Sequence, residues 1–153
     1  MALFHRIVQR RWAQMALDGE GAKKYGGRWN PPGVHAVYLA DSRALAALEI
    51  IVHAPREVLP LEWRVISVEI PDSWIEEIPP EDFPKDWRAQ PYSDNARRLG
   101  AAWMRGAKMP AYLLRSAIVP EEKCLLLNPL HGAMREIGKW TPAVFTFDDR
   151  LAG

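Results

Sequence analysis

From Trp63 to Ile70 apolar and polar side chains alternate as a half-buried strand requires, with Ile66, Val68 and Ile70 on one face. Phe4–Val8 predicts a short opening strand, and the apolar, β-prone run Val34–Leu39 predicts another. Asp41 or Ser42 can cap the helix that follows, because a short side-chain oxygen accepts from its first free amides. That helix covers Ala44–His53 and must stop near Pro55. At about 100° per residue, Leu45, Leu48 and Val52 form one apolar stripe along it. A helical turn over Trp12–Leu17 leads into a glycine-rich segment, Gly19 to Gly33. Pro71–Pro91 is proline-rich and acidic, with Trp74, Phe83 and Trp87 interspersed; it predicts an ordered loop with short helical turns, since those aromatics need a place to bury. A second long helix is expected over Ser93–Arg105. Strands are expected over Ala111–Arg115 and Lys123–Leu127, with Pro120 in the turn between them. A short helix over His131–Glu136 and a last strand over Ala143–Phe147 complete the pattern. Helices and strands mix without a regular strand–helix–strand rhythm, so the fold class is α+β.

The chain of 153 residues suits one compact domain spanning 1–153, with no repeat, low-complexity tract or linker to divide it. Its 20 basic and 19 acidic side chains leave a net charge of +1 and no basic stripe, which argues against a dedicated nucleic-acid binder. No apolar run approaches the roughly 18 residues needed to span a bilayer. The N-terminal Met1–Arg6 lacks the apolar core of a signal peptide. The single cysteine, Cys124, has no internal disulfide partner and reads as a buried small hydrophobe within Cys124–Leu127. Together these features lead us to expect a cytoplasmic protein.

The densest chemistry lies in Tyr25-Gly26-Gly27-Arg28-Trp29-Asn30-Pro31-Pro32-Gly33. Two glycines free the backbone and Pro-Pro-Gly restricts it again. Arg28 between them reads in two ways. It is a turn residue capping a carbonyl, or a guanidinium on an ordered loop whose planar fork pairs two oxygens of a phosphate or carboxylate. Trp29 is a core anchor or the wall of a ligand site. Glu49 sits roughly 40° from the centre of the apolar stripe of its helix. It is either a boundary glutamate paired with a base or a carboxylate at a pocket floor, where it stabilises developing positive charge. Tyr38 is a core tyrosine or a ring that stacks on a flat ligand. Ser116 ends a predicted strand, where a small hydroxyl can face a cleft. The four histidines and Cys124 show no zinc-ligand spacing, so no metal site is expected. There is no P-loop and no Gly-x-Gly-x-x-Gly.

In order along the chain, these pieces resemble the RES-domain family, toxins of bacterial toxin–antitoxin pairs named for an arginine, a glutamate and a serine. The likeness begins at Arg6 in Phe-His-Arg-Ile-Val and continues through Gly19–Ala22 and Gly26–Asn30, which places the family arginine at Arg28. Val-Tyr-Leu-Ala supplies Tyr38, Ala-Leu-Ala-Ala-Leu-Glu supplies Glu49 followed by His53, and Arg-Ser-Ala-Ile-Val-Pro supplies Ser116. Leu-Leu-Asn-Pro gives Asn128 and Pro129, and Phe147–Leu151 is also similar. The stretch Pro71–Arg105 carries little of the likeness.

The resemblance implies a fold related to ADP-ribosyltransferases and a growth-arresting activity that breaks down NAD, by hydrolysis, phosphorolysis or ADP-ribosyl transfer. NAD would be a substrate, with no cofactor. The implied partner is a cognate Xre-like antitoxin whose second domain plugs the pocket, forming a hetero-oligomer. Arg28, Glu49 and Ser116 would then be catalytic, with Arg28, Tyr38, Trp29 and Asn30 around the substrate. Two alternatives remain at this stage. One is a transferase acting on a specific macromolecule, which the alanine at position 47 disfavours because many such relatives carry an acid or glutamine there, two residues before the glutamate. The other is a non-catalytic binding module of the same fold.

Overall fold

A computed structural model describes residues 1–152 and shows one seven-stranded sheet. The strands are β1 (Ala2–Gln9), β2 (Val37–Ala40), β3 (Trp63–Ile70), β4 (Ile75–Glu77), β5 (Ala111–Arg115), β6 (Lys123–Leu127) and β7 (Ala143–Phe145). The α-helices are α1 (Glu20–Tyr25), α2 (Arg43–His53) and α3 (Asp94–Gly106). The order across the sheet is β4-β5-β6-β2-β1-β3-β7, antiparallel throughout except for the parallel pair β4–β5. No helix among the described residues is long and apolar enough to cross a membrane.

The sheet is two ribbons joined at one point. β1 and β3 stay in register over eight residue pairs, from Ala2↔Ile70 to Gln9↔Trp63, whereas β1 meets β2 only at His5↔Ala40. The rest of that seam lacks a ladder. Arg6 donates from Nη1 to the Tyr38 carbonyl across it at 3.2 Å, supplying one bond that the strands themselves do not make. α2 crosses this seam. Its N-terminus is capped by Ser42, whose hydroxyl accepts from Leu45 N at 3.0 Å. Leu45 and Ala46 bury against Ile7, Ala40, Trp63 and Val65, which bind both ribbons to the helix. The opposite face of the sheet is closed by Phe4, Val37, Leu39, Val68, Ile70, Leu125 and Leu127, with Met134, Ile137 and Trp140 packed on them.

Sequence periodicity located β3, β5 and β6 at the limits observed, and α3 starts one residue later than expected with Ser93 as its cap. Four expectations need correction. The strand expected from Val34 begins at Val37, because Val34 and Ala36 instead join an aromatic cluster with Trp29, Phe83 and Tyr112. The last strand ends at Phe145, since Phe147 turns inward edge-on to Trp63 at 5.3 Å. The Pro71–Pro91 segment contains a strand, β4, beside its helical turns. On α2 the stripe is incomplete: Leu45 is buried, but Val52 is half exposed at the rim of a cavity.

Candidate active site

A cavity of about 1100 Å³ opens where the seam and α2 meet the loop after α1. Arg28, Tyr38, Glu49 and Ser116, far apart in sequence, all line it. The other ionisable groups on its wall include Arg6, Arg88 and Arg115, so four arginines face one carboxylate, Glu49, in a chain of nearly balanced charge.

The floor comes from regular elements. Glu49 lies on the second turn of α2, with its side chain one-third exposed. Ser116, at the end of β5, is almost wholly buried. Its Oγ accepts from the amides of Ile118 and Val119, each at 3.1 Å, which commits the hydroxyl lone pairs to the turn. The one remaining proton points to Glu49 Oε1 at 3.4 Å. Cys124 Sγ on β6 is 3.7 Å from the same oxygen. Burial first, and the charge of Glu49 second, push the Cys124 thiol well above its ordinary value. It therefore stays protonated and donates to the carboxylate. The expectation of a buried small hydrophobe is thus corrected: Cys124 is only partly buried and faces the cavity. With Oε1 held by two donors, Oε2 remains for the cavity, 4.0 Å from His53 Nε2.

The opposite wall is irregular. Gly26, at φ +76°, turns the chain out of α1 through a region that disfavours side chains. A Cβ on Gly27 would lie 2.7 Å from the Tyr38 hydroxyl, so Gly27 lets the loop close on that ring. The Tyr38 hydroxyl donates to Asn30 Oδ1 at 2.6 Å and accepts from Trp29 N at 3.0 Å. Burial, opposed in part by the Trp29 amide, raises its pKa far above the ordinary value, so it stays neutral. Asn30 also donates from Nδ2 to the carbonyls of Ala22, Pro31 and Val34.

Asn30 is fully buried with its amide saturated, and it does not reach the cavity. Its expected place beside the substrate is corrected to that of the loop's internal brace. Trp29 borders the cavity, but its ring is packed among Phe83, Trp87 and Trp103 at 4.9 to 6.2 Å. Arg28 projects from this braced loop. Its Nη1 donates to the carbonyls of Trp87 at 2.7 Å and Ala89 at 3.2 Å. Burial lowers its pKa, while Tyr92 and Glu49 oppose that shift, and it remains a cation.

The segment around residues 84–92, for which sequence reasoning assigned no role, builds this wall. Arg88, Gln90 and Tyr92 line the cavity, and Arg88 Nε donates to the Ala117 carbonyl at 3.0 Å, bridging to the turn after Ser116. Arg6 was noted in sequence only as part of a likeness. It lines the cavity with its Nε buried and without a hydrogen-bond partner, and burial lowers its pKa. An arginine at the centre of β1, between the apolar Phe4 and the pair Ile7 and Val8, is the signal that could have marked it.

The chain is similar to known proteins. Residues 3–148 match the RES domain. The chain is 38% identical over 150 residues to a Yersinia enterocolitica protein named Toxin Res, covering 97% of this chain and 99% of the relative. A Sphingobium protein named Prs ADP-ribosylating toxin is 40% identical over 132 residues, 81% and 82% of the two chains. A third relative is the Mycobacterium tuberculosis protein named NAD(+) phosphorylase MbcT. It is 56% identical over a stretch of 36 residues, 23% of this chain and 19% of MbcT. The crystal structure of the MbcT–MbcA toxin–antitoxin complex superposes with a TM-score of 0.76 at 22% identity, over 95% of this chain and 84% of that one. The α+β fold implied by the sequence is therefore the one present.

Proposed function

Because the chain belongs to the RES-domain family, we propose that it is the toxin of a bacterial toxin–antitoxin pair and that its cavity cleaves the nicotinamide–ribose bond of NAD. One observation carries this reading. A single carboxylate, fixed by two donors on one oxygen, stands in a cavity whose other walls carry four arginines. NAD has the complementary charges: a pyrophosphate with two negative charges, and a ribose carbon that becomes cationic as the bond breaks.

Arg28 binds the pyrophosphate. The free Oε2 of Glu49 faces the ribose carbon and stabilises the oxocarbenium-like cation as it forms. The bonding electron pair leaves with nicotinamide, which departs as a neutral ring and needs no strong general acid. An acceptor oxygen then bonds to the ribose carbon and gives up its proton to solvent. Ser116 acts through Glu49: its one hydroxyl proton points to Oε1 and holds the carboxylate in place.

Water and phosphate are the acceptors proposed first. The 40% identical Prs ADP-ribosylating toxin supports a second reading, in which a protein accepts ADP-ribose. Ala47, two residues before Glu49, where an acceptor would be oriented, has no group to do it. A cognate Xre-like antitoxin is proposed to cover the cavity mouth, supported by the neighbour's structure as a toxin–antitoxin complex. Mass spectrometry of NAD incubated with the purified chain in water, in phosphate and in cell extract separates the three outcomes. ADP-ribose supports hydrolysis, ADP-ribose 1″-phosphate supports phosphorolysis, and a modified protein supports transfer. Intact NAD in all three arms contradicts the reading.

A further inference from the structure

Resting on the reading that the cavity binds NAD, we propose that Tyr92 is a positioning residue for Arg28. With the carbonyls of Trp87 and Ala89, it commits the Nη1 end of the guanidinium to the protein and leaves the Nε–Nη2 edge for the substrate. A guanidinium has five donors in a rigid plane. Nη1 directs its two protons to Trp87 O and Ala89 O. The edge that remains, Nε with Nη2, is the side that pairs two oxygens of one phosphate at once.

Two carbonyl bonds fix one corner of the plane and leave its tilt free. The Tyr92 ring sets the tilt, lying 5.1 Å from Arg28 Cζ. Arg97 Cζ is also 5.1 Å from that ring, and Arg97 Nε donates to the Gly27 carbonyl at 2.9 Å. Tyr92 thus links the guanidinium of Arg28 to the residue that pins the backbone immediately before it. The ring faces are electron-rich, so they attract both cations, which would otherwise repel each other. An arginine free in solution loses rotamer freedom on binding, and prior ordering by these contacts removes part of that cost.

The test is steady-state NAD cleavage by the purified full chain. Tyr92→Leu should raise KM about tenfold, which is ~1.4 kcal/mol and within the range of a desolvated cation–π contact. Its kcat should change by less than about twofold. Tyr92→Phe should restore KM, because the ring face and not the hydroxyl does the positioning. In an Arg28→Ala background, Tyr92→Leu should lower kcat/KM no further, because a residue acting through Arg28 has nothing left to act on. Tyr92→Met serves as the test variant if the leucine variant does not fold. An unchanged KM in the ringless variant overturns the proposal. So does a loss confined to kcat, or a full effect of Tyr92→Leu that persists without Arg28. Wild-type protein that leaves NAD intact overturns the underlying reading as well, whereas wild-type turnover with an unchanged Tyr92→Leu KM overturns this inference alone.

Discussion

The floor and the far wall of the cavity are built in opposite ways. Glu49, Ser116 and Cys124 stand on α2, at the end of β5 and on β6, and their geometry follows from regular hydrogen-bonded elements. Arg28 and the segment that meets it are irregular, and they hold one another: the arginine caps the carbonyls of Trp87 and Ala89. The floor is held by hydrogen bonds within the protein, which suits a group that must face a transient cation. The wall is ordered by the same side chain that would bind the substrate. Arg28 therefore caps two carbonyls, as one of its sequence-level readings has it, and under the proposed function it binds the pyrophosphate as well.

If the two regions divide the work, their variants should divide the kinetic parameters. The largest effect is expected from Glu49→Gln, which keeps the shape and removes the charge. Its kcat should fall by roughly 10² to 10³, the scale of one preorganised electrostatic group. Its KM and thermal midpoint should stay close to wild type, as judged by parallel kinetics and melting curves. Near-normal kcat would move Glu49 from chemistry to structure.

Arg28→Lys should come next, and on the other parameter. Lysine keeps the charge but has no fork for the phosphate and no second donor arm for the carbonyls. KM should rise by about ten- to a hundredfold, since a hydrogen bond to a charged group is worth roughly 1.5–3 kcal/mol. Proteolysis near Trp87–Gln90 should also accelerate, because the loop loses its latch. A kcat loss with unchanged KM would erase the proposed division.

Ser116→Ala should behave as a weaker version of the floor variant. It removes one donor to Glu49 and leaves the amides of Ile118 and Val119 without their acceptor. A drop of about tenfold in kcat is expected, with KM unchanged in the same assay. A KM effect instead would place the hydroxyl on the substrate.

The smallest effect concerns the seam. His5, buried with Nδ1 2.8 Å from Ser67 Oγ, has its pKa pulled below the ordinary 6.5, first by burial and then by Arg43, with Asp41 opposing. The unfolded chain therefore takes up the proton first. Stability should decline as pH falls through 6.5 towards the lowered folded value, and be level above it. Thermal midpoints across pH 5–8 should show this slope, and His5→Asn should flatten it. An equal slope in both proteins would assign it to other groups.

The same contrast explains what the sequence made legible. Glu49 was placed because helix period and the Ser42 cap are local properties, and Ser116 because a strand end is one too. The wall was not legible, because its order comes from contacts between Gly27, Arg28, Tyr92 and Arg97, up to 70 residues apart. Tyr92 follows a proline and precedes a helix cap, and nothing in its neighbourhood announces a partner. Asn30 was misplaced for a related reason. An asparagine beside an arginine in a glycine-rich loop looks free to bind, and only the fold shows the three carbonyls and one hydroxyl that occupy it. The short β4 was missed because three residues give no usable period, and its pairing with β5 is supplied by tertiary contact.

The central claim is that this cavity breaks the nicotinamide–ribose bond, and nicotinamide released from NAD by the purified, partner-free chain measures it directly. One nicotinamide is expected for each NAD consumed, whichever acceptor takes the ribose. The same release should be abolished to within about a hundredth in Glu49→Gln. NAD left intact by folded wild-type protein with water, phosphate or cell extract as acceptor would contradict the account. So would nicotinamide release at the same rate from both proteins.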